Sequence, residues 1–121
     1  MTEQDKQLLL KDLCARLPYG VKVNEGDVII ESLHNICKVG DNEYNINTLF
    51  DDKYTGFSVD DVKPYLRPVS NMTEEERKEY TEWLPDGYNI DTFDWLNAHH
   101  FDYRGLIPMG LAIDCTNLNI Y

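Results

Sequence analysis

Cysteine is scarce and poorly placed for cross-linking. Cys14, Cys37 and Cys115 are odd in number, far apart and without a C-x-x-C pair, which excludes a disulfide framework and a zinc knuckle as organising devices. The thiols are expected to be reduced and mostly buried. Long apolar runs are missing too: Glu3 and Asp5 stand ahead of only three successive leucines, so neither a signal peptide nor a membrane span is expected, and the expected compartment is the cytoplasm. Basic residues are half as numerous as acidic ones, 11 against 22, giving a formal net charge of −11. Such a surface repels nucleic-acid backbones and anionic lipid at long range, so neither direct nucleic-acid binding nor membrane contact is expected. Also absent are G-x-G-x-x-G, a G-K-[ST] ending and G-x-S-x-G, which leaves no phosphate cradle and no nucleophile elbow. There is no internal repeat and no low-complexity tract.

What is present suits one folded domain over 1–121. The chain is 42% hydrophobic and 12% aromatic, enough for a core at this length. Thr2 with Asp5 reads as a helix cap, and Leu10, Leu13, Cys14 and Leu17 recur at i, i+3, i+4 and i+7, a helix that ends before Pro18 and Gly20. From Val21 the pattern changes to short β-branched runs broken by Asn24 to Asp27 and by Gly40 to Asn42, four to five strands in all before residue 62. Their size fits a small, bent, SH3-like antiparallel sheet, with barrel or open sheet left undecided. Ser58 with Asp61 caps one helical turn. Residues 62–68, with Pro64 and Pro68, read as a stiff extended connector between a helix-plus-sheet half (1–70) and a helical closing half (71–121).

In the second half, Thr73 followed by Glu76 is a capping box, with Tyr80, Trp83 and Leu84 on the inward face of the helix it starts, until Pro85 and Gly87 stop it. Asp91 caps a third helix with Phe93, Leu96 and His100 on one stripe. Residues 111–113 and 118–121 read as a closing pair of extended segments, turning at Asn117. The fold class is therefore α+β: an N-terminal helix, a small bent sheet, two helices and a short extended tail.

His99, His100 and Asp102 form one cluster of metal-type ligands, the set an open catalytic metal site uses. Adjacent side chains on a helix diverge by about 100°, so the two histidines do not face one ion unless the helix has ended before them. No cofactor is expected. Arg67 and Arg104 lie close to aromatics and are candidates for bidentate internal bridges to a carboxylate, and Trp83, Trp95, Tyr65, Phe101 and Tyr103 are core candidates. Charge is uneven: 12 acids and 8 bases up to residue 70, 10 acids and 3 bases after it. A basic protein partner would meet the second half first, at Glu75, Glu79 and Glu82. Tyr44, Phe50, Tyr54 and Phe57 are spaced too irregularly to share one buried face, so at least one ring is expected at the surface as a specificity contact.

Residues 62–68 with 70–76, then Trp95 to Ile107, and the opening Leu8 to Val21, resemble a family of small acidic proteins encoded in phages and prophages of anaerobic gut bacteria. These strings cover about a third of the chain. That family has no assigned activity, so the resemblance implies a mobile-element setting and carries over no catalytic residue. The segment from Asp27 to Phe57 lies outside it, as a variable recognition surface on a fixed scaffold would. Two readings follow. One is a non-catalytic interaction protein, in its sharper form an inhibitor of a host nucleic-acid enzyme. The alternative is a metal-dependent hydrolase using His99, His100 and Asp102. Oligomeric state is not encoded in any pattern of the sequence.

Overall fold

The computed structural model describes residues 2–25, 31–41, 43–50, 53–83 and 90–121, with the backbone alone at 25, 31, 49, 50, 53–55 and 83. Helix α1 (Glu3–Arg16) starts where Thr2 Oγ1 accepts the Asp5 amide at 3.0 Å and runs into a 3₁₀ turn over Leu17–Tyr19. Gly20, at φ 69°, turns the chain into the sheet, a conformation glycine adopts without a Cβ clash. Strands β1 (Lys22–Glu25), β2 (Glu31–Gly40), β3 (Glu43–Phe50), β4 (Lys53–Ser58) and β5 (Val62–Pro68) are successive or neighbouring antiparallel partners. The β2–β3 hairpin closes as expected, pairing Gly40 with Glu43. Gly26 and Asp27 of the expected first turn, and Val28 to Ile30, lie outside the described residues.

Residues 62–68 are extended, but they are not a connector. They form β5, which pairs with β1 on one side and is joined by β6 (Phe101–Asp102) and β7 (Ile113–Asp114), both parallel. The sheet is therefore mixed rather than antiparallel, with order β4-β3-β2-β1-β5-β6 and β7 an additional partner of β5. The Leu66 carbonyl accepts from Cys115 N–H, while the next amide, Arg67 N–H, donates to the His100 carbonyl. Both groups belong to one trans peptide and point opposite ways. Hence β7 prolongs the edge that β1 leaves and β6 takes the other edge. The second half thus contributes strands as well as helices to the sheet.

The main core joins Leu9, Leu10 and Leu13 of α1 to Val21, Val23, Leu33, Ile46, Val62 and Leu66. Leu10 and Leu13 of the expected stripe are buried, but alongside Leu9, Asp12 and Arg16 rather than Cys14 and Leu17. Cys14 is exposed and Leu17 only half-buried. The cause is polar: Arg16 finds a carboxylate and a carbonyl inside, so that side of the helix can enter the core. Cys37 is also exposed and only Cys115 is buried, a correction to the expectation of buried thiols.

A smaller aromatic core, Trp95, Leu96 and Phe101, lies under α2 (Glu74–Trp83) and α3 (Ile90–Ala98), with Met72, Tyr80 and Tyr103 against it. The buried face of α3 is Thr92, Trp95, Leu96 and Asn97. Phe93, expected inside, is 37% exposed. The tail beyond β7 holds no second extended segment. Instead, the Tyr121 hydroxyl accepts from Lys22 N–H and donates to the Tyr65 carbonyl, both at 2.8 Å, bridging β1 and β5 just beyond their last pairing. Burial of that hydroxyl pushes its pKa up. Leu84 and residues 85–89, including the expected helix stop, lie outside the described residues.

Candidate functional site

The N-terminus of α2 is built from its own sequence. Thr73 Oγ1 accepts from Glu76 N–H at 3.1 Å and Glu76 Oε1 accepts from Thr73 N–H at 3.0 Å, the reciprocal box that the spacing calls for. The same carboxylate receives Arg67 through two bonds, Nη1 to Oε2 at 2.8 Å and Nη2 to Oε1 at 2.7 Å, so the expected bidentate bridge is made. The Arg67 guanidinium lies 4.3 Å from the Phe101 ring centroid. His99 Nδ1 stands 3.2 Å from Glu76 Oε2. Hydrogen bonds from Arg67, ahead of the cost of burial, hold the Glu76 carboxyl down at about 2.

Beside this clasp is a cleft of ≈ 350 Å³ lined by Arg67, Asn71, Thr73, Glu76, Cys115, Thr116, Asn119, Ile120 and Tyr121. It holds a carboxylate, a guanidinium, amides, hydroxyls and a thiol, but the first two neutralise each other. Burial raises the Cys115 pKa, so its thiol is kept in the weakly nucleophilic form.

The three metal-type residues do not converge. His99 turns to Glu76. His100, past the end of α3 at φ 63°, stacks its ring on Tyr121 with centroids 3.6 Å apart. Asp102 accepts the amides of Leu106 and Ile107, each at 2.9 Å. The expected divergence of the histidines holds, though its cause is the left-handed residue after the helix and not the helix itself. Among the described residues no group of three His, Cys, Asp or Glu side chains is placed to hold a metal ion, which counts against the hydrolase alternative. Burial first, then the charges of Arg16 and Arg67, push the His100 pKa down to about 4, so its ring is neutral.

The acidic residues proposed from sequence are exposed: Glu75, Glu79 and Glu82 lie along α2 on a strip next to the one that carries Glu76 and Tyr80. At i, i+4 and i+7 they fall within about 60° of arc. Of the rings, Tyr44 and Phe57 are half-buried against the main core. The side chains of Phe50 and Tyr54 lie outside the described residues.

Sequence reasoning missed the polar group inside the main core. Asp12 and Arg16 are fully buried, paired at 2.8 Å, and the other Asp12 oxygen takes Arg104 Nη1 at 2.8 Å. Arg16 Nη2 donates to the Phe101 carbonyl at 2.6 Å. The available signal was Leu9, Leu13 and Arg16 at i, i+4 and i+7, with Asp12 four residues before Arg16. Comparison of the chain with protein-family models, curated proteins and solved structures finds no match. No helix among the described residues is long and apolar enough to cross a membrane.

Proposed function

We propose that the chain is a non-catalytic interaction protein that meets a basic surface on another protein through the acidic stripe of α2. The observation that carries this reading is the stripe itself: Glu75, Glu79 and Glu82 are exposed along a helix whose adjacent strip is fixed by the Arg67–Glu76 clasp. A stripe held rigidly loses little freedom on binding, and its charge speeds encounter with a cationic partner. The titratable groups that looked catalytic are engaged in holding the fold: the His99 ring on Glu76, the His100 ring on Tyr121, and Asp102 on two amides. The resemblance to small acidic phage and prophage proteins supports a mobile-element setting, and inhibition of a host nucleic-acid enzyme is the sharper form, since such enzymes carry basic grooves. Exposed thiols at Cys14 and Cys37 suit a reducing compartment such as the cytoplasm. The segment from Asp27 to Phe57 would then supply specificity.

The test is capture of a host protein on immobilised chain, followed by association kinetics with that protein purified. Glu75→Lys, Glu79→Lys and Glu82→Lys together should slow association at least about tenfold at low salt and flatten its salt dependence. An unchanged association rate would remove the acidic stripe from the interface.

A further inference from the structure

On the opposite side of α1 from the sheet is a groove of ≈ 530 Å³ formed with α3 and the loop after β6, lined by Lys11, Ala15, Phe93, Asn97, Tyr103 and Arg104. Lys11 and Ala15 are one turn apart on α1, as Phe93 and Asn97 are on α3, so each helix presents one face to it. Its chemistry is opposite to that of the rest of the molecule. In a chain of net charge −11 this groove is lined by two cations and no carboxylate.

The excess of positive charge is built in. Arg16 and Arg104 share the single carboxylate of Asp12, so beneath the groove three charges sum to one positive, and Lys11 at the rim adds another. Arg16 Nη1, in a side chain with no exposure, has no hydrogen-bond partner among the described residues, which marks this network as short of acceptors. Apart from the Asn97 amide, the rest of the lining is apolar or aromatic. The Phe93 and Tyr103 rings meet at 5.3 Å with a 47° tilt, and Arg104 lies 4.6 Å from the centroid of the Tyr103 ring. Tyr103 is fixed from behind by its hydroxyl, which donates to Asn97 Oδ1 at 2.9 Å.

We propose that this groove binds a small aromatic anion: a flat ring against Phe93 and Tyr103 over Ala15, with its charged group reaching Lys11 and Arg104. The volume falls in the usual range of small-molecule sites, and an apolar lining with few convergent polar groups is their usual make-up. The field of the whole protein opposes entry of an anion, so affinity has to come from these short-range cations. A neutral ring gains only the weaker cation–π and hydrogen-bond attraction from them.

The probes are 1-naphthoate and 1-naphthyl phosphate, with 1-naphthalenemethanol as the neutral counterpart, titrated into the whole chain labelled for amide NMR. Saturable shifts confined to Lys11, Ala15, Phe93, Asn97, Tyr103 and Arg104 are expected, and comparison of the two anions separates a carboxylate site from a phosphate site. The alcohol should bind at least about tenfold more weakly, and Lys11→Glu should weaken either anion at least about tenfold while Lys11→Arg keeps it. Lys11 is exposed, and the fold of both variants is verified from the same spectra. Equal binding of the alcohol and the anions, equal loss in Lys11→Arg and Lys11→Glu, or no saturation at millimolar probe would each overturn the proposal.

Discussion

Two guanidinium–carboxylate assemblies hold helices onto this sheet, and they differ in how much water reaches them. Asp12 and Arg16 are completely enclosed, with Arg104 at 17% side-chain exposure closing the group. Arg67 and Glu76 are 19% and 13% exposed, with His99 at 35%. In the dry assembly a charge stripped of its partner has no solvent to turn to, whereas in the wetter one water replaces part of what is lost. The dry assembly ties α1 to residues 85 and 92 positions away, and the wetter one closes over 9 and 23. Long-range ordering of the fold should therefore depend more on Asp12 than on Glu76.

Removing Asp12 breaks the comparison most severely. Asp12→Ala leaves Arg16 buried beside Arg104 with no anion between them, and the expected loss is about 3 to 5 kcal/mol in urea unfolding. Replacing the pair together, Asp12→Leu with Arg16→Met, should recover most of that loss, because the apolar pair needs no partner and Arg104 can reach water. A double variant as unstable as Asp12→Ala would mean that the network matters for shape rather than charge.

Acid should separate two stages. His100 has a folded pKa of about 4 against an ordinary 6.5, so the unfolded chain binds its proton first and stability present above pH 6.5 is lost as the pH falls toward 4. Glu76 stands at about 2 against 4.5, so its contribution is complete above pH 4.5 and disappears as the pH falls toward 2. Each stage should amount to about 3 kcal/mol in full, and to about 2 kcal/mol where water screens the groups. Thermal unfolding as a function of pH is the measurement. Glu76→Gln should remove the lower stage and leave the upper, and His100→Phe should do the reverse while keeping a ring against Tyr121.

The difference between the assemblies also explains what the sequence made legible. The wetter one starts from a local pattern, Thr73 and Glu76 three residues apart, and Arg67 was marked by its aromatic surroundings, so the α2 start and a bidentate bridge could be read directly. The dry one depends on Phe101 and Arg104 returning to α1 from the far end of the chain, and no window of the sequence contains that return. The same limit governs β5. Pro64 and Pro68 speak for an extended segment, which it is, but its partners β6 and β7 are two residues each, too short to leave a periodic signal. Phe93 falls outside the buried stripe because its i+3 spacing to Leu96 fits two helix faces, and the buried one carries Thr92 and Asn97, whose polar side chains give no apolar signal. The acidic stripe was legible because exposure of glutamates needs no tertiary knowledge.

The finest division lies within α2 itself, between the end that is capped and the stripe that is not. Thr73→Ala removes the acceptor for Glu76 N–H and should cost about 1 kcal/mol, seen as a lower urea midpoint with an unchanged slope. Glu82→Gln touches nothing that holds the helix down and should leave the midpoint where it is. Glu76 donates its N–H to Thr73 Oγ1 while its carboxylate accepts from Thr73 N–H and Arg67, so the cap and the clasp meet in one residue, which each bond helps to position for the other. Their contributions should therefore not add: Thr73→Ala in a Glu76→Gln background should cost less than it does alone, by about 0.5 kcal/mol or more. Strict additivity would mean that the box and the bridge act independently, and that the rigidity attributed to the acidic stripe comes from Tyr80 and the aromatic core instead.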